Sequence, residues 1–339
     1  MGITLQDVAD AAGVSRSTAS RALAGSTLIS PETRAAVTAT AGQLGYRVNR
    51  VASALRSRQT RLIGLVLNNL INASFHTIAE VVQHRAYDKG YQVILMISGA
   101  DPKREHQLLS TLADHHVDGL IVIGTGQNVG QLNRMITDGT PIVTAIRGPA
   151  GSFAPAVLAA DRDGAHEATR HLIGLTHRRI AFIGGPERTN SGAERYAGYV
   201  SALGEAGIDV DPALVARGQF DPGFGSRAAA QLLDTDATAL FVANHEAVFG
   251  ALPAIVARGV RVPEELSLVC YEDIPWLRTW APPITVVDNG PRQLADLAMD
   301  LLLGQLERPA PAAAANGAAR NYRVGAALIE RRSTAPPHR

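Results

Sequence analysis

"DVADAAGVSRSTASRALAG", residues Asp7 to Gly25, stands close to the start of the chain and decides how its surroundings are read. Thr4 in front of it is a helix N-cap, and Leu5, Val8, Ala9 and Ala12 recur on one helical face until Gly13 ends the helix. Ser15 caps a second helix, with Thr18, Ala19, Ala22 and Leu23 turned partly inward. Ser30-Pro31 opens a third, which stops at Leu44-Gly45. Helix, glycine-containing turn, helix and supporting helix form a helix-turn-helix arrangement. The polar run Ser15 to Arg21 suits a helix whose backbone must come close to the floor of a major groove, because its side chains are small apart from two arginines. Ser15, Thr18 and Ser20 can bond phosphates, Arg16 and Arg21 match guanine O6 and N7, and Ser17 can reach a base edge.

Charge points the same way. Residues 1–61 hold Arg16, Arg21, Arg34, Arg47, Arg50, Arg56, Arg58 and Arg61 against only Asp7, Asp10 and Glu32, although the whole chain is +1. A basic head on a mildly acidic body implies a polyanion partner for the head alone. The next stretch, "YRVNRVASALRSRQT" (46–60), reads as a short helix from Asn49 to Ser57 followed by a polar linker. Ala52 and Leu55 share a face of it, and Leu55 among Arg50, Arg56 and Arg58 suits a wedge in a minor groove. The other reading of this stretch is a linker whose leucine packs on the body.

The rest of the chain alternates short apolar runs with helical patterns. "LIGLVL" (62–67), "YQVILMI" (91–97), "GLIVIG" (119–124) and "PIVTAI" (141–146) read as buried parallel strands, and "RIAFIGG" (179–185), "ALFVA" (239–243) and "LSLVCYED" (266–273) repeat the pattern. Two parallel α/β lobes follow, with a ligand cleft at the carboxyl ends of their strands. Enzyme motifs are missing: there is no G-x-S-x-G, no H-E-x-x-H and no paired-cysteine metal site, and "GTGQNVG" (124–130) is not a phosphate loop. His115-His116 reads as a solvated helix end. No cofactor or metal is expected. One cysteine, the lack of a signal-peptide layout and the lack of an apolar run long enough to span a bilayer imply a cytoplasmic protein with no membrane partner.

"TLQDVADAAGVSRSTASRALAG…SPETRAAVTATAGQLGYRVNRVASALRSRQTRLIGLV" resembles the head and hinge of the lactose-repressor (LacI/GalR) family of bacterial transcription regulators, and the resemblance continues over essentially the whole chain. It implies a helix-turn-helix head over residues 1–47, a hinge helix and linker over 48–60, and an effector-binding, dimerising core over 61–339. That core is similar to periplasmic sugar-binding proteins, with lobes near 61–160 and 161–290 and a C-terminal segment joining them. In the head, the resemblance assigns phosphate contacts to Thr4, Ser15, Thr18, Ser20, Ser30 and Thr33, base reading to Arg16, Ser17 and Arg21, and hinge contacts to Leu55, Ala52 and Asn49. In the core, "HRRIAFIGGP", "ERYAGYVSAL", "ANHEAVFGAL" and "YEDIPW" carry it, and effector positions fall on Phe75, Asp161, Ser191, Arg195, Phe220, His245 and Asn289.

The implied function is a repressor that binds a pseudo-palindromic operator in double-stranded DNA as a homodimer. Its control would come from a small effector, a sugar or sugar-derived metabolite. The competing reading, a periplasmic-type sugar-binding protein with no DNA role, lacks a reason for the basic head. This chain also departs from the family pattern. Ala19 and Ala22 replace valines and Val48 replaces a proline, which implies a looser head core and a less rigid hinge entry. His245 and Ile146 stand where many members carry carboxylates, while Arg147 and Arg188 lie nearby. The pocket is therefore expected to have lost negative charge, which makes an acid sugar or phosphorylated sugar bonded by Arg195 more acceptable than in typical members; the rival is a neutral mono- or disaccharide, with His245 making one hydrogen bond.

Overall fold

The structure is a computed structural model and describes residues 3–23, 25–46, 59–308 and 320–337. The chain divides into two compact units, Met1–Arg61 and Leu62–Arg339. In the first, α1 (Leu5–Ala11) begins with a reciprocal cap: Thr4 Oγ1 accepts from the Asp7 amide at 3.3 Å and Asp7 Oδ2 accepts from the Thr4 amide at 2.7 Å. Gly13, at φ +65°, makes the turn in a region that side chains disfavour. α2 (Arg16–Leu23) starts at Ser15, whose Oγ accepts from the Thr18 amide at 3.1 Å. α3 (Pro31–Gln43) is capped by Ser30 and ends at Leu44-Gly45. Val8, Ala9, Ala19, Ala22, Val37 and Ala41 form the small core of this unit. The expected hinge helix, with Asn49, Ala52 and Leu55, and Val48 before it, lies outside the described residues.

The second unit holds two six-stranded sheets. The first runs β11-β5-β4-β3-β1-β2, where β1 is Leu62–Leu67, β2 Gln92–Ile97, β3 Gly119–Val122, β4 Ile142–Ala145, β5 Ala156–Ala159 and β11 Asn321–Val324. The second runs β12-β10-β9-β8-β6-β7, where β6 is Ile180–Gly184, β7 Val215–Arg217, β8 Ala239–Val242, β9 Ser267–Tyr271, β10 Thr285–Asp288 and β12 Ala327–Ile329. All pairings are parallel except β10 with β12. Central strands such as β3 and β8 are buried along their whole length, as a sheet covered on both faces requires.

The lobes are not consecutive in sequence. The helix Pro291–Glu307 follows the last long strand of lobe 2, yet its Leu294, Ala298, Met299 and Leu302 pack with Ile63, Leu65 and Ile121 of lobe 1. β11 then joins the lobe 1 sheet and β12 the lobe 2 sheet. The chain therefore crosses between lobes after β5, after β10 and between β11 and β12, so the C-terminal segment is shared by both lobes. Among the described residues no helix is long and apolar enough to cross a membrane, and no group of three metal-ligating side chains gathers. His115 caps the end of the helix Pro102–Asp114 and is exposed.

Candidate functional site

The head presents a polar face with little bulk. Ser15, Arg16, Ser17 and Arg21 are exposed, and Thr18 and Ser20 are half-buried beside the core alanines of α2. The hydroxyls satisfy one another. Ser15 Oγ lies 2.9 Å from Ser17 Oγ and 2.8 Å from Thr18 Oγ1. Ser30 and Thr33 pair in the same way at 3.1 Å at the start of α3. The Thr4 hydroxyl bonds Asp7 Oδ2 at 2.8 Å and completes the cap. That cap also holds the Asp7 carboxyl below the usual carboxylate range, chiefly through the Thr4 amide.

In the core, a cleft of about 690 Å³ opens where the strands of both lobes end at their carboxyl edges. Its wall is made by residues that follow strand ends: Asn68 and Asn72 after β1, Ile146 and Arg147 after β4, Arg188 to Ser191 after β6, Asn244 and Glu246 after β8, and Glu272 after β9. Ile146 (φ +63°) and Glu272 (φ +79°) both take left-handed backbone, the kind of local strain that gathers at binding sites. The Phe220 ring reaches the wall because residue 185 is glycine: a Cβ there would sit 1.9 Å from Phe220 Cζ.

Of the seven expected effector residues, Phe75, Ser191, Arg195 and Phe220 line this cleft, whereas Asp161, His245 and Asn289 are buried outside its wall. Arg195 is already committed. Its Nε donates to Asp161 Oδ1 at 2.8 Å, its Nη1 donates to the Ala243 carbonyl at 2.7 Å, and its guanidinium lies 3.8 Å over the Tyr271 ring. Glu272 Oε1 stands 3.5 Å from Nη2. Burial opposes the Arg195 charge, but the Asp161 and Glu272 carboxylates overcome it and hold the guanidinium above its ordinary value.

His245 is tied in behind. Its Nδ1 donates to Glu272 Oε2, and its Nε2 accepts from the Ala73 amide at 3.3 Å. The expectation of a cleft depleted of negative charge is therefore overturned. The carboxylates come from Glu246, one residue after His245, and from Glu272 at the end of β9, where the substitutions at 146 and 245 gave no sign of them. The expectation that Arg195 receives an anion fails for a related reason, since Asp161 occupies it from within the lobe.

Two bonds beside the cleft join the lobes. Asn72 Oδ1 caps the helix Ala73–Asp88 by accepting from the Ser74 and Phe75 amides, while its Nδ2 donates to Glu246 Oε1 at 2.9 Å. The Ala73–His245 bond runs parallel to it. Sequence reasoning missed Asn68, Asn72, Glu246 and Glu272. The signal that finds them is position just beyond the carboxyl end of a buried parallel strand.

Residues 4–49 match the family model described as bacterial regulatory proteins, lacI family, and residues 169–334 match that of the periplasmic binding protein-like domain. The chain is 33% identical over 337 residues to the HTH-type transcriptional repressor PurR of Klebsiella pneumoniae, covering 98% of this chain and 97% of that one. It is 31% identical over 306 residues to the PurR of Haemophilus influenzae, covering 89% and 91%. Among solved structures, the lac repressor dimer bound to operator and the anti-inducer ONPF superposes with a TM-score of 0.84 at 27% identity, covering 99% of this chain and 100% of that one. The transcriptional regulator CelR–cellobiose complex superposes at 0.71 with 30% identity, covering 98% and 99%.

Proposed function

The chain belongs to the lacI family of bacterial regulatory proteins, and from that premise we propose that it is a repressor whose grip on its operator is set by a sugar-derived metabolite in the cleft. As a member it is a DNA-binding transcriptional regulator that dimerises and responds to a small molecule. In our reading Arg16, Ser17 and Arg21 read bases. Thr4, Ser15, Thr18, Ser20, Ser30 and Thr33 hold phosphates once DNA breaks their mutual hydrogen bonds, and Asn49, Ala52 and Leu55 act at the hinge. Phe75 and Phe220 offer ring faces to a sugar, and Ser191, Glu246 and Glu272 offer hydroxyl partners. Asp161, His245 and Asn289 act one layer back, by fixing Arg195, Glu272 and the first turn of the helix Ala73–Asp88. The sugar class is also supported by the cellobiose held in the CelR structure.

The observation that carries effector control is the pair of lobe-to-lobe bonds, Asn72–Glu246 and Ala73–His245, on the rim of the cleft. A ligand beside them is coupled to how the lobes close. Footprinting against fragments near the protein's own gene should protect a symmetric site of about 14–20 base pairs. Arg21→Ala should cost about 1–3 kcal/mol and relax preference at one position per half-site. A metabolite that raises the melting temperature should also change operator affinity. An asymmetric half-site protected by a monomer, or an effector that stabilises the core without moving operator affinity, overturns the reading.

A further inference from the structure

We infer that the cleft contains an oxyanion subsite made by Arg147 from lobe 1 and Arg188 from lobe 2, so that the effector carries a carboxylate or phosphate at one end. This deepens the proposed function and rests on its placing the effector in this cleft. Both guanidiniums line the cleft, and neither has a carboxylate within 4.0 Å among the described residues. The third arginine of the wall is answered, Arg195 by Asp161, and Glu272 is bonded by His245.

Arg147 is held in a fixed pose. Its Nη1 donates to the Gly124 carbonyl at 2.9 Å, and Asn68 Oδ1 accepts from Nη1 at 2.9 Å and Nη2 at 3.3 Å when its amide is turned to satisfy both. Its Nε is sealed from solvent and donates to nothing. Asn190, at the positive end of the helix Asn190–Glu205, also lines the cleft.

Charges on both sides of the cleft act on Arg147. Burial draws it below the usual guanidinium value. Glu105 beneath it and Glu246 across the cleft oppose that, and Arg188 adds to it. Glu105 is engaged by the Thr125 amide at 2.6 Å and by Asn128 Nδ2 at 2.8 Å, so it acts on Arg147 only at a distance. Two like charges brought together from opposite lobes resist closure, and an oxyanion between them reverses the sign of that interaction. Glu246 and Glu272 on the same wall suit hydroxyl donors. The cleft is therefore matched to a polyol or ring bearing one acidic group, an acid sugar or a sugar phosphate.

The test uses the full-length protein with matched probes: aldoses, the corresponding uronic acids, the corresponding sugar phosphates, and inorganic phosphate alone. Thermal shift and calorimetry are run on wild type, Arg147→Gln and Arg188→Gln. At least one acidic probe should bind wild type, and Arg147→Gln and Arg188→Gln should each weaken it by about tenfold or more. In both variants the loss should be several-fold larger for the acidic probe than for the matching neutral aldose. Arg188 is exposed, so its variant keeps the test open if Arg147→Gln fails to fold. Uronic acid against sugar phosphate separates the carboxylate from the phosphate. If no acidic probe binds, or if acidic probes bind both arginine variants as well as wild type, the subsite is overturned. In that event a bound neutral aldose leaves the cleft as the effector site, whereas effector-free behaviour with every probe removes that reading as well.

Discussion

Single residues carry most of the chemistry, and Glu272 carries the most. It is buried, accepts from Asn244 Nδ2 at 3.1 Å and from His245 Nδ1, and faces Arg195. Burial pushes its carboxyl up, but His245 and Arg195 pull harder and hold it below the usual range. Glu272→Gln keeps the shape and removes the charge that compensates two cationic neighbours. It should destabilise the core by about 3–5 kcal/mol, read by denaturant unfolding, because breaking a buried ion network leaves a charge unanswered. A loss under about 1 kcal/mol would show that Asp161 suffices for Arg195. This residue also marks the limit of what the sequence told. "YEDIPW" was legible as part of the core, but nothing local says that Glu272 turns into the cleft while Asp273 next to it pairs with Arg278 and Arg331. That depends on the positive φ at 272, a property of the folded loop. Arg195 was legible as a site residue but its employment was not, because Asp161 lies 34 residues away in sequence and meets it only through the packing of two helices.

Elements were easier to read, for physical reasons that can be named. The helices of the head announce themselves through Thr4, Ser15, Ser30-Pro31 and the glycines at 13 and 45, since caps and left-handed turns are local chemistry. The strands found from apolar runs, β1 to β4, β6, β8 and β9, are those buried between helix layers, or in the case of β2 half-buried at an edge. Of the ones passed over, β7, β11 and β12 are partly exposed strands of three or four residues at sheet edges, while β5 and β10 are buried but only four residues long. The return of the helix Pro291–Glu307 to lobe 1 rests on its packing against Ile63, Leu65 and Ile121, which no local pattern states. Ser15 tests the double duty of an element end. Its Oγ caps α2, and in the proposed complex it also faces a phosphate. Ser15→Ala should cost the head about 1 kcal/mol, seen as faster amide exchange across residues 16–23, and should weaken specific and non-specific DNA alike. Selective loss of specific binding would assign Ser15 to base reading instead.

At the scale of the whole core, the lobes are fastened by groups that titrate. Burial opposes charge on His245, but the Glu272 carboxylate bonded to Nδ1 outweighs it and holds the imidazole above its ordinary value, with Glu246 adding to this and Arg195 subtracting. A raised value means that the charged pair stabilises lobe 2 in full below about pH 6.5 and that this stabilisation is lost as pH rises through the raised value. The same proton has the opposite effect between lobes. Nε2 accepts the Ala73 amide only while it is unprotonated, so acidification strengthens lobe 2 internally and removes one of its hydrogen bonds to lobe 1. Glu246 acts in the same direction at lower pH. Burial pushes its carboxyl up although Asn72 pulls it down, and its protonation weakens the Asn72–Glu246 bond. The effector-free protein should therefore expand as pH falls from about 8 to about 6, measured as an increase in radius of gyration by small-angle scattering. His245→Gln keeps a side chain able to bond both Glu272 and Ala73 but carries no titrating proton, so its radius should stay constant over that range. Growth of equal size in the variant would move the switch away from His245, and a constant radius in the wild type would mean that the Ala73 bond does not hold the cleft.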